Sequence, residues 1–208
     1  MIIAVDGPAA AGKGTVARAL ARHFGYHFLD TGSLYRMVGL AVLRAGQDPA
    51  DHAAAAAAAR ALDPKNYRDE DLRGETVGAA ASVVAVIPEV RAALLHFQRA
   101  FARKQPGAVL DGRDIGTVVC PDADVKLFIT AAPEIRARRR MLELAKQGEL
   151  VDYATMLAGI RARDERDSTR ATAPLVAAAA ATIIDTTGMD IDQAVAAAIV
   201  AVVSRFPG

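Results

Sequence analysis

The first fifteen residues restrict the fold of this chain more than any other stretch. Residues 1–5 form an apolar run that is typical of a buried parallel strand, which ends at Asp6. Residues 7–13 then read GPAAAGK, which fits the G-x-x-x-x-G-K pattern of a phosphate-binding loop. Small residues let consecutive N–H groups turn inward toward an anion. We therefore predict a strand, a loop that binds a nucleoside triphosphate, and a helix that begins near Gly12.

The predicted ATP site is the whole of this loop and the first turn of the helix. Lys13 carries the positive charge that reaches the β- and γ-phosphates, and the positive end of the helix points at the same groups. Because Gly14 stands between Lys13 and Thr15, the motif does not assign the hydroxyl that contacts magnesium. The residues predicted to bind ATP are Gly7, Pro8, Ala9, Ala10, Ala11, Gly12, Lys13, Gly14 and Thr15.

Length and composition limit the class of protein. The 208 residues suffice for one domain with a sizeable core, and a formal net charge of +1 argues against a nucleic-acid-binding surface over the whole molecule. The single cysteine, Cys120, excludes an internal disulfide and fits a reducing cytosol. The longest uncharged apolar runs, 175–184 and 194–203, reach only about half a membrane span. We predict a cytoplasmic protein with no membrane partner.

Apolar runs alternate with helical patterns along the chain, which predicts an α/β fold. Strands are predicted at residues 1–5, 27–30, 108–111, 125–129 and 182–185, and helices at 13–24, 31–44, 51–62, 76–86, 88–104, 133–147, 152–168 and 190–204. The charged, turn-rich composition of residues 63–75 predicts that this segment is a mobile surface loop. Because each strand is apolar on both faces, we expect a five-stranded parallel sheet with helices on both faces. Ligands of such sheets bind at the carboxyl ends of the strands.

Two polar groups follow strands directly. Thr31 opens the helix after the second strand and Arg36 lies about one turn into it, so this segment is either a second anion site or a helix cap with a solvated arginine. At the end of the third strand, Asp111 can hold magnesium and Arg113 can clamp a phosphoryl group. The alternative for the second group is an Asp-Gly turn with an incidental ion pair.

Two arginine-rich helices follow the fourth strand and are separated by Gly148. Arg136, Arg139 and Arg140 share one helical face by their spacing, and so do Arg163, Asp167 and Arg170. Such density of guanidinium groups suits bound phosphates, and a hinge at the glycine would swing them over the site. The alternative is a solvated face, in which Arg163 and Asp167 form a surface pair worth about 0.3–0.5 kcal/mol.

Six segments, in this order, span nearly the whole chain: DGPAAAGKGT, LDTGSLYR, DGRDIGTVV, PDADVKLFIT, RARRRMLEL and RDERDSTRATAPL. In this combination the sequence resembles bacterial-type cytidylate kinases, which are P-loop nucleoside-monophosphate kinases. The resemblance implies transfer of the γ-phosphoryl group of ATP to CMP or dCMP, with Mg²⁺ as cofactor. It also implies one kinase domain over residues 1–208, with a shortened acceptor-binding excursion at about 45–104 and a lid at about 136–165.

The resemblance assigns roles to individual positions. The positions that match CMP-binding ones are Thr31, Arg36, Arg113 and Arg170 for the phosphate, Ser82, Arg91 and Asp114 for the cytosine edge, and Arg163 and Asp167 for the sugar. The catalytic residues it implies are Lys13, Arg113, Arg139 and Arg140, the last two from a lid that closes on the ATP phosphates. Magnesium is expected to bind through the ATP phosphates, with Thr15 or Asp111 contacting it through water. The expected partners are ATP and CMP or dCMP, with no nucleic acid, and the protein is expected to be a monomer.

The sequence departs from the family pattern before Ser82. The segment 63–75 lacks the strand alternation of the β excursion that family members commonly carry, and Ala79 replaces an expected asparagine.

Two alternative functions stay open. One is a kinase of the same fold that acts on UMP, AMP or a small metabolite. The other is a regulatory switch that hydrolyses its nucleotide. The sequence lacks the Asn-Lys-x-Asp motif that reads guanine, which argues against this alternative.

Overall fold

The computed structural model describes residues 1–72, 74–146 and 148–205. The chain divides into two compact units, which are described separately below. The first consists of Met1–Leu29 and Ala102–Gly208, and the second of Asp30–Phe101.

Five strands form one sheet in the order β2-β3-β1-β4-β5. They are β1 (Ile2–Asp6), β2 (His27–Asp30), β3 (Ala108–Gly112), β4 (Val125–Thr130) and β5 (Thr182–Asp185). The central strand β1 pairs in parallel with both β3 and β4, and β4 pairs in parallel with β5. This arrangement confirms the predicted α/β class and its five-stranded parallel sheet.

Eight α-helices occur among the described residues, four of them in succession between β2 and β3. They are α1 (Lys13–Phe24), α2 (Thr31–Arg44), α3 (His52–Arg60), α4 (Glu75–Val84), α5 (Pro88–Ala102), α6 (Pro133–Ala145), α7 (Tyr153–Thr169) and α8 (Ile191–Val203). Their ends agree with the prediction to within about two residues. Gln147, the predicted end of the sixth helix, lies outside the described residues.

Aspartate side chains cap four of these helices. Asp30, Asp51, Asp152 and Asp190 each accept a hydrogen bond from a backbone N–H in the first turn of the helix that follows. For α2 this corrects the expected cap, since the capping side chain is Asp30 and not a serine or threonine. Thr31 is instead the first helical residue, and its side chain is buried.

The core of the first unit lies between the sheet and the helices α1 and α8. Apolar residues of β1 and β4, such as Val5 and Leu127, pack with Leu20 of α1 and Ala198 of α8. Cys120 is buried. A smaller cluster joins the phosphate-loop residue Ala9 to α6 and α7. The sheet and this cluster therefore fix the loop after β1 from two sides.

The second unit is helical, with a core formed by α2, α3, α4 and α5. The predicted surface loop at 63–75 contains two short 3-10 turns, Pro64–Asn66 and Asp69–Leu72, and the side chain of Leu72 is buried in this core. No single helix in the described part of the chain is long and apolar enough to cross a membrane. Only α4 and α5 taken together reach that length and hydropathy, and they are bent by 99° at the break between them.

Candidate active site

The loop between β1 and α1 has the backbone conformation that its glycines permit. Gly7 has φ +151°, and a Cβ atom added there would lie 1.9 Å from the carbonyl oxygen of Ile129, so only glycine fits. Ala10 and Gly12 also have positive φ. Gly12 is the N-cap of α1 and has no side chain with which to cap the N–H groups at that end. A loop closed against β4 and an uncapped helix end are the features of an anion-binding loop.

Lys13 and Asp111 meet beside this loop. The Lys13 Nζ lies 3.5 Å from Asp111 Oδ1, and both side chains are nearly buried. A Cβ atom at Gly14, where the general motif has serine or threonine, would come 3.0 Å from Asp111 Oδ2, so a larger residue there would require the Asp111 side chain to shift. The end of β3 thus approaches the first turn of α1 closely, and it holds a carboxylate next to the ammonium group predicted to bind phosphate.

The oxygen donors near the loop suit magnesium. Asp111 offers a carboxylate at the end of β3, Thr15 offers a hydroxyl on the first turn of α1, and Mg²⁺ prefers such hard oxygen ligands together with phosphate oxygens. Within residues 1–72, 74–146 and 148–205, no group of three or more histidine, cysteine or acidic side chains is arranged to bind a metal. A magnesium ion carried mainly by nucleotide phosphates fits this donor set.

Asp6 is a buried carboxylate at the end of β1. It is 3% exposed and accepts hydrogen bonds of 2.8 Å from the backbone N–H groups of both Ile115 and Gly116. Burial, helped by the nearby charges of Asp114 and Asp111, raises the pKa of Asp6 from 3.8 to about 6, although the two hydrogen bonds oppose the change. Asp6 therefore fixes the segment that directly follows Arg113 and Asp114.

Replacing Asp6 with asparagine should change how the stability of the protein depends on pH. Because its folded-state pKa lies above the unfolded value, the folded state holds the proton between about pH 4 and pH 6, and stability falls as pH rises through that range. At 1.36 kcal/mol per pKa unit, the wild type should lose roughly 2–3 kcal/mol relative to Asp6→Asn between pH 4 and pH 7. Urea unfolding at several pH values measures this difference.

Asp185→Asn provides the matched control for this prediction. The hydrogen bonds from Thr187 lower the pKa of the exposed Asp185 carboxyl, so its contribution is lost as pH falls, which is the opposite sign. A stability difference between the wild type and Asp6→Asn that stays constant with pH would contradict the titration of Asp6 in this range.

In the first unit, the residues predicted to bind CMP form ion pairs between β3 and the end of α7. Arg113 Nε donates to Asp167 Oδ2 at 3.0 Å, and Arg170 Nη2 lies 3.8 Å from Asp114 Oδ1. Asp167 is 6% exposed, so the alternative in which it belongs to a solvated surface pair is wrong. Arg163 lies on α7, one turn before Asp167. The structure thus brings together four of the five predicted residues of this unit in two charged pairs.

In the second unit, the predicted acceptor residues lie on three packed helices. Arg36 of α2 donates to the carbonyl oxygen of Leu72 at 2.9 Å. Ser82 of α4 is buried. Arg91 of α5 donates to a backbone carbonyl at 3.2 Å and places its guanidinium 5.6 Å from the ring centre of Tyr35. These arginines are anchored side chains and not solvated ones.

The arginines of α6 have different environments despite their common face. Arg136 is 3% exposed and forms a bidentate ion pair with Asp164 of α7, while it also donates to the carbonyl oxygen of Ala9. Arg139 donates to Thr186, and Arg140 Nη1 lies 2.9 Å from Glu143. Arg136 therefore joins α6, α7 and the loop as a structural group.

The sequence model of a family described as cytidylate kinase matches residues 3–204. A cytidylate kinase of Paramagnetospirillum magneticum is 59% identical over 201 residues, which cover 95% of each chain. The chain belongs to the cytidylate kinase family. The cytidylate kinase of Afipia carboxidovorans is 57% identical over 96% of this chain and 95% of its own, and that of Nitrobacter winogradskyi is 56% identical over 98% and 96%.

Two solved structures are similar to this member of the cytidylate kinase family in fold. An uncharacterized protein from Eubacterium ventriosum aligns with a TM-score of 0.58 at 17% identity, over 98% of this chain and 99% of that one. TT1252 from Thermus thermophilus aligns with a TM-score of 0.50 at 23% identity, over 100% and 98%. At these identities the likeness shows the fold alone.

Sequence reasoning missed three polar residues that support the site. Asp6 was seen only as a strand end, Asp164 lay in an arginine-rich run that looked like a charged helix face, and Thr186 carried no signal beyond following a strand. Their partners lie between 28 and 175 positions away in the sequence. Position was a signal for two of them, since Asp6 ends β1 and Thr186 follows β5, and ligands bind at the carboxyl ends of such strands. Asp164 lies within α7 and had no such signal.

Proposed function

We propose that this enzyme transfers the γ-phosphoryl group of ATP to CMP or dCMP, giving ADP and CDP or dCDP. The observation that carries the proposal is the family match over residues 3–204, together with Lys13 and Asp111 beside the glycine loop. In the proposal, the loop N–H groups and Lys13 hold the donor phosphates. Asp111 or Thr15 would contact, through water, a magnesium ion carried by these phosphates, and such an ion would neutralise part of their charge.

The acceptor is drawn in by charge and oriented by hydrogen bonds. Arg113 and Arg170 of the first unit, with Thr31 and Arg36 of the second, are assigned to its phosphate, and ion pairs with Asp167 and Asp114 hold Arg113 and Arg170 before the acceptor binds. No protein base is needed, because the second pKa of a phosphate monoester is about 6 and its oxygen is largely ionised at neutral pH. The protein therefore contributes alignment and charge stabilisation.

The remaining assignments belong to the same proposal. Ser82, Arg91 and Asp114 would read the cytosine edge, and Arg163 and Asp167 the sugar. Residues 1–208 would act as one kinase domain with a lid at about 136–165, in which Arg139 and Arg140 contact the ATP phosphates. We further propose a monomer in the cytoplasm that acts on small molecules only, in keeping with the family and with the single cysteine.

A coupled assay of ADP release with CMP, dCMP, UMP and AMP tests the reaction directly. We expect turnover with CMP and dCMP well above that with UMP and AMP. A higher rate with UMP or AMP would assign the enzyme to another acceptor, and phosphate release without any acceptor would indicate a hydrolase.

Asp114→Ala tests the assignment of the base. A site that hydrogen-bonds a base edge rejects a mismatched base because its own buried polar groups are left unpaired. Asp114 is buried and faces Arg170, so its removal should narrow the preference for CMP over UMP by about tenfold while the KM for ATP stays within about twofold. An unchanged CMP/UMP ratio would contradict the assignment. The exposed Asp122→Ala, at the turn before β4, is the control.

A further inference from the structure

Arg139 of α6 is held in place by the turn that follows β5. Its Nη1 donates to the hydroxyl of Thr186 at 2.9 Å, and its Nη2 donates to the carbonyl oxygens of Thr186 at 2.7 Å and of Met189 at 3.2 Å. Three acceptors from one turn thus fix both ends of the guanidinium fork. The flexible arginine side chain has a defined direction without any ligand contact.

Thr186 is itself fixed from the opposite side. Its side chain is buried, with 2% exposure, and its hydroxyl lies 3.1 Å from the carbonyl oxygens of both Ala11 and Thr130. A hydroxyl has one proton to donate and two lone pairs to accept with. The proton therefore goes to one of these carbonyls, and a lone pair remains for Arg139. The hydroxyl is an ordered link between the phosphate loop, the end of β4 and the guanidinium.

The direction in which Arg139 is held is toward the phosphate loop. Its Nη1 lies 4.0 Å from the position of a Cβ atom built on Gly12, the residue that caps α1. A guanidinium at this place adds positive charge beside the loop N–H groups and the positive end of the helix.

We propose that Thr186 is a positioning residue that orients Arg139 over the phosphate loop before the nucleotide binds. This inference rests on the proposed function, because it assigns Arg139 to the donor phosphates. Ordering the side chain in advance lowers the entropy that ATP binding must remove. The consequence is specific: losing the hydroxyl should weaken the interaction with ATP, and it should do so only while Arg139 is present.

The experiment compares Thr186→Val, which keeps the shape and removes the hydroxyl, with Thr186→Ser, which keeps the hydroxyl. Calorimetry measures the Kd for ATP without acceptor, and the kinase assay gives kcat/KM for ATP and the KM for CMP. For Thr186→Val we expect ATP binding and kcat/KM for ATP to weaken about tenfold or more, as for a lost hydrogen bond to a charged group, with the KM for CMP within about twofold. Thr186→Ser should stay near the wild type.

Thr187→Val is the matched control, since the Thr187 hydroxyl bonds to Asp185 and to the N–H of Ala132 and makes no described bond to Arg139. It should leave ATP binding unchanged. In an Arg139→Ala background, Thr186→Val should have no further effect on the Kd for ATP. A full tenfold loss in that background, or the same loss in Thr187→Val, would overturn the proposal.

The two proposals fail in different ways. A wild type that binds ATP but does not phosphorylate CMP would contradict the proposed reaction, while the ATP affinities of Thr186→Val and Thr186→Ser would still test the positioning. A normal ATP affinity in Thr186→Val, with an active wild type, would overturn the positioning alone.

Discussion

Lys13→Ala should lower the turnover of CMP at least ~100-fold, the range expected for the loss of one charge-stabilising group from a transition state. Lys13 Nζ lies at the phosphate loop with little exposure and is held near Asp111. No other lysine of the described residues belongs to this loop. The loss should appear in kcat as well as in the KM for ATP, because the charge on the phosphates redistributes as the phosphoryl group moves.

The measurement is the coupled assay at saturating CMP, with circular dichroism and thermal unfolding to show that the fold is intact. Lys65→Ala removes an exposed lysine of the second unit and serves as the control for the change in net charge. Turnover of Lys13→Ala within a few-fold of the wild type would refute the assignment of the phosphate loop.

Asp167→Asn should have the second largest effect, on the acceptor. The substitution is nearly isosteric, but it removes the negative charge that faces Arg113 Nε at 3.0 Å in a buried position. Losing a hydrogen bond to a charged group costs about 1.5–3 kcal/mol, so if Arg113 must be held to bind the acceptor, kcat/KM for CMP should fall roughly 10- to 100-fold. The KM for CMP should rise, while the KM for ATP should stay near its wild-type value.

CMP and dCMP separate the two tasks assigned to Asp167. If Asp167 only holds Arg113, the substitution should lower kcat/KM for CMP and for dCMP by the same factor. If Asp167 also accepts a hydrogen bond from a sugar hydroxyl, the ratio of the two kcat/KM values should change. Glu165→Gln removes an exposed carboxylate from the same helix and is the control. Wild-type kinetics with both substrates would place Asp167 outside the acceptor site.

The sequence was sufficient to predict the secondary-structure elements and the phosphate loop. Strand and helix positions follow from local patterns, because a buried strand needs a continuous apolar run and a helix needs a periodic face. The loop was predictable for a similar reason, because the positive φ values of Gly7 and Gly12 are a local backbone requirement that favours glycine.

Pairings between side chains of one element and groups of another were not predictable from spacing. Arg136 and Arg139 share a helical face, yet Arg136 is buried against Asp164 and Arg139 bonds to the turn after β5. Spacing predicts only a pair such as Arg140 and Glu143, which lie three residues apart on α6. Helical periodicity gives the direction in which a side chain leaves the helix, but the partner depends on which other element packs there.

The sequence by itself determined the α/β fold, the phosphate loop and, through the order of its segments, the cytidylate kinase family. Only the tertiary structure decided that Asp6 is a buried acceptor, that Asp167 pairs with Arg113, and that Arg139 donates a hydrogen bond to Thr186. The physical reason is the distance along the chain over which each effect acts. Backbone propensity and hydrophobic period act over a few residues, whereas a buried polar group must find its partner wherever the packed chain places one, and here the partners lie 109, 54 and 47 positions away.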